Sequence, residues 1–424
     1  MKTKRLFALF CVAFVLLQLS CVCAESNELY IAGNMMLMDK MEGFEKESGI
    51  HITFSYDFNI QDVIANAYVI QNPDIDVFVI RTDSGLYTIK NTNYYESLEG
   101  NETLMQAYQS MYPVFQSAMM DEGHLVGVMV NASPMGMMVA EDTLAEWGFS
   151  VPETFDELLD TCNAILADDL LTSDMTLMMD SYTQQSVMNL FMKYYIITSI
   201  QEGRRVDFQN ETFLHYVQRI KDELPETDTL TGERFDIIFM LPSAVDVPST
   251  RIQRFPRIFE DQSSAVETYA TIAIVNPYSD NKDAAIDFLA YCTTHMTNSD
   301  YFLYQTLTDP IENPTVVSQI ESLEKDIALL EAAENRTNEQ EDKLADDRAQ
   351  LEQLESKRYM VTEDAIRYYQ SLAESLYISE GSPLSYDDAL RVLAERYLNG
   401  AFDAETFAQE CQSHIEMIYA EIGE

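Results

Sequence analysis

Apolar positions predict alternating strands and helices through the first part of the chain. Short apolar runs, typical of strands covered on both faces, stand at 28–33, 50–56 and 75–80. Between these runs apolar residues recur at helical spacing, which predicts helices over about 36–48 and 61–70. The resulting β-α-β-α-β order indicates an α/β fold with a parallel sheet between layers of helices.

The region 121–166 predicts a passage of the chain from one sheet to another. Apolar strands at 125–130 and 135–139 lie on either side of a short polar break and are followed by a helix over 141–147. Thr154, with a glutamate three residues later, then marks the start of another helix. Two successive strands, the second of which leads into new helices, are typical of a chain that crosses between two lobes.

The remainder of the chain is mostly helical, with two further apolar runs that predict strands. The predicted helices cover 155–166, 183–200, 212–224, 284–293, 393–400 and 403–419, and the predicted strands cover 234–241 and 266–275.

Residues 316–358 differ in kind, because narrow apolar seams run through a segment that is otherwise charged or polar. The seams consist of Val316, Ile320, Leu323, Ile327 and Leu330, and of Leu344, Leu351 and Leu354. A polar stretch at 335–338 separates them, which predicts two amphipathic helices folded back as an antiparallel hairpin. Such narrow seams suit a partner helix but not deep burial, so we expect the hairpin to project. For this hairpin, a structural appendage without a binding function is favoured over a docking role.

Two segments resemble the crossovers of the extracellular solute-binding proteins, family 1, which serve ABC importers. The first match consists of Gly127-Val128-Met129, Met135-Gly136-Met137, Glu146-Trp147-Gly148-Phe149 and Pro152-Glu153-Thr154-Phe155-Asp156-Glu157-Leu158. The second match covers most of 270–291, and Asp76-Val77-Phe78 matches a strand at the start of the family's fold. The chain departs from the family pattern at Val139-Ala140-Glu141.

The resemblance implies a two-lobed periplasmic-binding-protein-like fold of type II with a hinge, plus the inserted antiparallel helical hairpin. The hinge is expected at about 130–134 and 267–272, and near 310–314. The expected division is a signal peptide at 1–24, an N-terminal lobe at 25–131 and 268–310, and a C-terminal lobe at 132–267 and 311–424 that includes the hairpin at 316–358.

In two-lobed binding proteins the ligand lies where strand ends from both sheets face each other, so residues just after strands are the candidates. The predicted ligand-binding residues are Asn34, Asp57, Asp83, Ser84, Asn131, Tyr182 and Tyr269. Tyr269 is the strongest candidate, because the family repeatedly places a cleft residue just before the return strand. For Asp57 and Asp83, helix capping remains an alternative role.

The charge balance limits the classes of partner. Lys and Arg number 26 against 71 Asp and Glu, a formal net charge of −45, and the basic residues form no cluster. Nucleic acid and anionic membrane surfaces are therefore not expected as partners. A sugar is favoured as the ligand, with 24 tyrosines available for stacking, and a polyamine or other cation is the alternative.

The first 24 residues have the layout of an export signal. A basic start precedes the apolar run 6–19, and Val22-Cys23-Ala24 offers small residues for cleavage. Cys21 leaves open a lipid anchor, although plain secretion is favoured. Beyond the leader, the three cysteines Cys162, Cys292 and Cys411 are too few and too scattered for a disulfide framework. The mature protein is expected outside the cytoplasm and as a monomer.

The sequence favours binding over catalysis. The five histidines are scattered without metal-ligand spacing, and nucleophile-elbow and phosphate-loop motifs are missing from the chain. Methionines crowd two predicted helices, with Met35, Met36, Met38 and Met41 on one and Met175, Met178 and Met179 on the other, where core packing is favoured over Cu(I) binding. No catalytic residue, metal or cofactor is therefore predicted. The expected function is ligand capture for an ABC permease; the alternative is a surface interaction protein that uses the hairpin.

Overall fold

The computed structural model describes residues 28–35, 37–172, 175–178, 183–226, 236–240, 251–260, 265–296, 300–333 and 337–423. The predicted signal peptide, Cys21 and Tyr182 lie outside these residues. Across the described part of the chain, no helix combines the length and apolar character that crossing a membrane requires.

Strands and helices alternate much as the apolar pattern predicts. The strands are β1 (Glu28–Gly33), β2 (His51–Tyr56), β3 (Val77–Arg81), β4 (Met120–Asp121), β5 (His124–Leu125), β6 (Val128–Met135), β7 (Met137–Val139), β8 (Met175–Met178), β9 (Asp236–Met240), β10 (Arg251–Gln253), β11 (Val266–Val275), β12 (Ile311–Glu312), β13 (Tyr359–Val361) and β14 (Leu376–Ile378). The helices are α1 (Met38–Ser48), α2 (Ile60–Ile70), α3 (Leu86–Asn91), α4 (Glu102–Ser110), α5 (Pro113–Met119), α6 (Glu141–Glu146), α7 (Phe155–Ala167), α8 (Thr183–Gln201), α9 (Glu211–Glu223), α10 (Lys282–Thr294), α11 (Pro314–Glu331), α12 (Asn338–Glu355), α13 (Glu363–Leu372), α14 (Asp388–Leu398) and α15 (Ala404–Ile422).

The first sheet is built around the long strand β11. In the order β14-β11-β3-β1-β2, the strands β3, β1 and β2 are parallel to one another, as the β-α-β-α-β pattern predicts. β11 runs antiparallel to β3 along its second half, parallel to β14 along its first half, and antiparallel to β6 on its other side. The C-terminal ends of β1, β2 and β3 therefore lie at the same edge as the beginning of β11.

The second sheet has the order β10-β7-β9-β8 and is covered by α7, α8 and α9. α7 begins where the sequence predicts, because the Thr154 side chain accepts the N–H of Glu157 and the Glu157 side chain accepts the N–H of Thr154. The prediction that Met175 and Met178 lie on a helix is wrong, since both belong to β8, where alternating side chains pack on the sheet. Met178 is buried in the core, which agrees with the packing role.

Two separate hydrophobic cores divide the molecule into two lobes. The core around the first sheet contains the apolar residues of β1, β3, β6 and β11, and the other core contains those of α7, α8, α9 and α15. The chain first passes between sheets at Gly136, since β6 ends at Met135 in the first sheet and β7 begins at Met137 in the second. It returns at Ala265, just before β11.

The segment after β11 stays with the first core for longer than the sequence suggests. Leu372, Leu376 and Ile378 are buried in that core, and β14 pairs with β11. The chain then passes to the other core, where Leu384 and the helices α14 and α15 pack. The packing thus places a third passage at 379–384, and the hinge expected near 310–314 is wrong, because the chain is still with the first core at Ile378.

α11 and α12 form the two arms predicted over 316–358. β12 and β13 pair at the base, so the chain leaves and returns at one point, and the helices pack against each other in opposite directions. Ile320, Ile327 and Leu344 are buried in the seam, while most other side chains of the two helices are exposed. That this pair is an insertion relative to the family stays a prediction.

Candidate functional site

A cleft of about 660 Å³ lies between the two lobes, at the edge where the strands of the first sheet end. One wall consists of Gln61, Asp83, Glu267, Tyr269 and Tyr377 from the first sheet and its connections. The opposite wall consists of Lys193, Ile196, Ile197 and Ile200 of α8 and His414, Met417, Ile418 and Glu421 of α15. The segment 379–387 closes one side. Strand ends and helix faces from both lobes thus border one cavity, which is the arrangement expected of a ligand site in open α/β sheets.

Arg81, at the end of β3, organises the first-lobe wall. Its Nε donates to Oδ1 of Asp83 at 3.1 Å, and its Nη2 donates to Oδ2 of the same carboxylate. The guanidinium also lies over the ring of Tyr269, 4.4 Å from the ring centroid. Burial alone would lower the pKa of Arg81, but the hydrogen bond and charge of Asp83, with Tyr269 and Glu267, raise it above the usual value. One arginine therefore holds two cleft side chains in fixed positions.

An ion pair joins the two lobes at the base of the cleft. Nζ of Lys193, on α8, lies 2.5 Å from Oε2 of Glu267, on β11. Glu267 is almost completely buried, so its charge requires this partner. The neighbouring Tyr194 is fully buried, stacks on Phe255 with a centroid distance of 4.1 Å, and donates its hydroxyl to the carbonyl of Met135. Burial raises the pKa of Tyr194, so this hydroxyl stays a donor.

The segment 379–387 carries serine and tyrosine side chains into the cleft. Gly381 has φ +76°, and a Cβ there would lie 2.5 Å from the carbonyl oxygen of Asp83, so this close approach requires glycine. The hydroxyl of Tyr386 donates to Asn189 of α8 at 2.7 Å, and Nε2 of His414 lies 2.7 Å from Oδ2 of Asp387. Burial, with the charges of Glu267 and Glu380, raises the pKa of Tyr377 to about 12, so its phenol is neutral at physiological pH.

The structure brings two of the predicted ligand residues, Asp83 and Tyr269, into this cleft. Asn34, Asp57, Ser84 and Asn131 are not among the described residues that line it. Their surroundings indicate structural roles for several of them. Asn34 accepts the N–H of Arg81 at 3.0 Å, Asp57 accepts the N–H of Asn59 at 2.8 Å in the turn before α2, and Ser84 donates to Asp83 at 3.0 Å.

Asn131 lies in β6 opposite Thr271 of β11, on the side of that strand away from β3. Tyr182 lies outside the described residues. Whether any of the seven predicted residues contacts a ligand stays a prediction.

The sequence-based selection missed Lys193, Glu267, Tyr377 and Tyr386. For the first two a signal was present, because each is a lone charge within an apolar run and a buried charge requires a partner. Tyr377 and Tyr386 lie in the stretch 359–386, for which the periodicity predicted no element. Their place in the cleft depends on β14, a strand of three residues.

Comparison with protein families gives one match. The model of the family described as bacterial extracellular solute-binding protein matches residues 41–329, which is more than half of the chain. The comparison with curated protein sequences finds no match.

Three solved structures illustrate the similarity in fold. An ABC transporter solute-binding protein from Agrobacterium radiobacter K84 in complex with ribitol has a TM-score of 0.56 at 13% identity, with 92% of this chain and 98% of that chain covered. Maltose-bound MalE3 of T. maritima has a TM-score of 0.55 at 13% identity, covering 92% and 99% of the two chains. A sugar transporter from Bacillus licheniformis in complex with stachyose has a TM-score of 0.55 at 13% identity, covering 92% and 100%. At 13% identity, the similarity to these structures shows a shared fold and not a shared ligand.

Proposed function

The chain belongs to the bacterial extracellular solute-binding proteins, and we propose that it is the extracytoplasmic component of an ABC importer that captures a carbohydrate between its lobes. The observation that carries this proposal is the cleft itself, in which tyrosines stand beside carboxylates already held by cations. The sugar ligands in the solved structures of similar fold support the same class of ligand.

The aromatic and polar groups of the cleft have the composition that a sugar site needs. Tyr269, Tyr377 and Tyr386 offer ring faces and hydroxyls, and Ser379, Ser382 and Ser385 add further hydroxyls. A pyranose presents an apolar face to an aromatic ring and hydroxyls to planar polar groups. The cleft volume also lies within the range of small-molecule sites.

Ion pairing within the cleft favours a neutral ligand over a polyamine. Asp83 is paired with Arg81 and Glu267 with Lys193, and Oδ2 of Asp387 lies 2.7 Å from Nε2 of His414. A polycation would have to compete with these internal partners, whereas paired carboxylates still accept hydrogen bonds from sugar hydroxyls. We therefore place the carbohydrate ahead of the cation.

Ligand capture in this proposal closes the two lobes about the three passages of the chain. The lobes would consist of about 28–135 with 266–378, and of 137–265 with 384–422, in place of the boundary at 310 expected from sequence. Closure would bring the walls formed by β11 and α8 together over the ligand and present both lobes to a membrane permease.

A ligand screen tests this proposal. A panel of mono- and oligosaccharides with polyamines, added to the mature protein, is expected to contain a sugar that raises the melting temperature. Tyr269→Ala is expected to remove most of that shift, because the ring lines the cleft beside Asp83. Tyr359→Ala is the matched control, since Tyr359 lies on β13 at the base of the hairpin.

Four results would count against the proposal or one of its parts. A response to polyamines alone would favour the cationic ligand. If no compound raises the melting temperature, and the protein captures a protein partner through the exposed faces of α11 and α12, the surface interaction protein would be favoured. We also propose that the protein is a monomer without enzymatic activity. Chemical conversion of the bound sugar during the assay would contradict the lack of activity. A dimer in light scattering would contradict the monomer.

We also propose export through the signal at 1–24, with secretion favoured over a lipid anchor at Cys21. Expression of the full chain in a bacterial host with a single membrane distinguishes the two. Free secretion predicts that Cys21→Ala leaves the protein in the medium, as in the wild type. Detergent-dependent recovery of the wild type, abolished by Cys21→Ala, would instead show an anchor.

A further inference from the structure

Two aromatic side chains stand exposed where β2 ends. Phe58 is 85% exposed and Tyr56 is 48% exposed. Their rings meet edge to face, with centroids 4.9 Å apart and an interplanar angle of 85°. The contact restrains both rings but leaves much of their surface in water. Burying a phenylalanine is among the larger favourable terms in folding and binding, so these rings would gain free energy from a ligand that covers them.

The strand order places this aromatic pair in line with the cleft. β3, β1 and β2 are parallel neighbours, so their C-terminal ends form one row along a single edge of the sheet. Asp83 follows the end of β3 and Tyr56 ends β2, two strands away, which corresponds to about 10 Å.

Gln61 connects the aromatic pair to the cleft. It lies in the first turn of α2, three residues after Phe58, and it lines the cleft. The two rings are not themselves among the described residues that line the cleft, but Gln61 brings the segment that carries them up to it.

We propose that Tyr56 and Phe58 form an outer subsite that binds the apolar face of a second or later ring of a linear oligosaccharide. This inference rests on the proposed function and narrows its ligand class from carbohydrate in general to oligosaccharides longer than one ring. One end of the ligand lies at Tyr269 and Asp83, and the chain continues along the row of strand ends past Gln61. The occupant is a sugar rather than a peptide, because the rings continue the row of strand ends that leads to the proposed sugar cleft, and a pyranose presents an apolar face to such rings.

The test uses two homologous series, namely glucose, maltose, maltotriose and maltotetraose, and galactose, raffinose and stachyose. Isothermal titration of the mature wild-type protein with each sugar gives affinity as a function of chain length. The variants are Phe58→Ser and the double variant Tyr56→Ser with Phe58→Ser; Tyr359→Ser is the control, since Tyr359 is 43% exposed at the base of the hairpin. All substitutions are at exposed positions, so we expect folded proteins with unchanged melting temperature.

In the wild type, affinity is expected to rise with chain length in the series that binds. Phe58→Ser is expected to weaken the longer sugars by about tenfold and to leave the shortest binding member unchanged. The double variant should weaken the longer sugars further, and Tyr359→Ser should leave every affinity at the wild-type value.

The outcomes separate this inference from the proposed function. If wild-type affinity does not depend on chain length, or if Phe58→Ser weakens all members equally or none, the outer subsite is wrong while carbohydrate capture stands. If neither series nor the wider sugar panel binds the wild type, the proposed function fails and the outer subsite fails with it.

Discussion

At the scale of single residues, Arg81 has the central position in the first-lobe wall of the cleft. It holds the Asp83 carboxylate through two nitrogens and lies against the ring of Tyr269. Lysine keeps the charge but has neither the planar fork nor the stacking surface. In the proposed function Arg81 is therefore a positioning residue, which acts through the two side chains that it orients.

Arg81→Lys is expected to weaken binding of the responding sugar by about tenfold, because Asp83 and Tyr269 lose their fixed orientation. The unliganded melting temperature should change by no more than about 4 °C, since the ion pair is partly exposed. Isothermal titration and thermal unfolding measure the two effects. Arg367→Lys is the control, because Arg367 makes a comparable pair with Asp364 on the exposed face of α13. Equal sugar affinity in the wild type and Arg81→Lys would contradict the positioning role.

Sequence reasoning at this scale selected two residues that line the cleft, Asp83 and Tyr269, whereas Asn34, Asp57, Ser84 and Asn131, selected by similar arguments, are not among the described residues that line it. Asp83 was selected because it follows the third strand, and Tyr269 because the family resemblance places a cleft residue near the return strand. Lys193 pairs with Glu267, and Arg81 stacks on Tyr269 in addition to its local pair with Asp83, so each has one partner far along the chain. The pattern of one segment carries no information about such a partner.

At the scale of elements, α7 and α9 of the second lobe are joined by a charged clamp. Arg219 of α9 donates to Asp156 at 2.7 Å and to Asp160 at 2.6 Å, both on or at the start of α7. Burial alone would raise the pKa of Asp156, but hydrogen bonds from Tyr216, Arg219 and His215 lower it below the usual value. The Arg219 hydrogen bond, against some desolvation, also lowers the pKa of Glu223.

This clamp predicts a stability difference that depends on pH. Carboxylates with a lowered folded-state pKa stabilise the protein above their unfolded-state pKa of about 4, and the contribution is lost as pH falls through the folded-state pKa. Arg219→Met should therefore destabilise the protein most at pH 7 and 5, with the difference from wild type shrinking below about pH 4. Urea unfolding across this range measures it. Arg348→Met, which breaks the exposed pair with Glu331, should have little effect at any pH. A deficit in Arg219→Met that is the same at pH 3.5 and pH 7 would rule out the clamp.

At the scale of the whole molecule, the binding cleft and the hairpin are separate parts. The residues that line the cleft come from the two lobes, whereas α11 and α12 join the body through the short pairing of β12 with β13. Ile311 and Val361 are partners in that pairing, so the chain can be closed there without distorting the first lobe.

Replacing residues 313–358 with an Asn-Gly turn is therefore expected to give a folded protein, because this turn suits a two-residue connection between antiparallel strands. Its affinity for the responding sugar should equal that of the full-length protein, since no described hairpin residue lines the cleft. Titration and size-exclusion chromatography measure these properties. Lost sugar affinity in a monomeric, folded deletion variant would show that the hairpin takes part in binding.

The sequence by itself determined the α/β class, the family and most of the longer strands and helices, although it expected a helix where β8 lies. It also indicated passages close to the observed ones at Gly136 and Ala265, and it expected the third one near 310–314. These features follow from local periodicity and turn chemistry, which adjacent residues carry. The tertiary structure decided the third passage at 379–384, the pairing of Lys193 with Glu267, and the place of Tyr377 and Tyr386 in the cleft. Each of these depends on contacts between residues far apart along the chain, and burial of a charge or of a three-residue strand is favourable only once both partners are packed together.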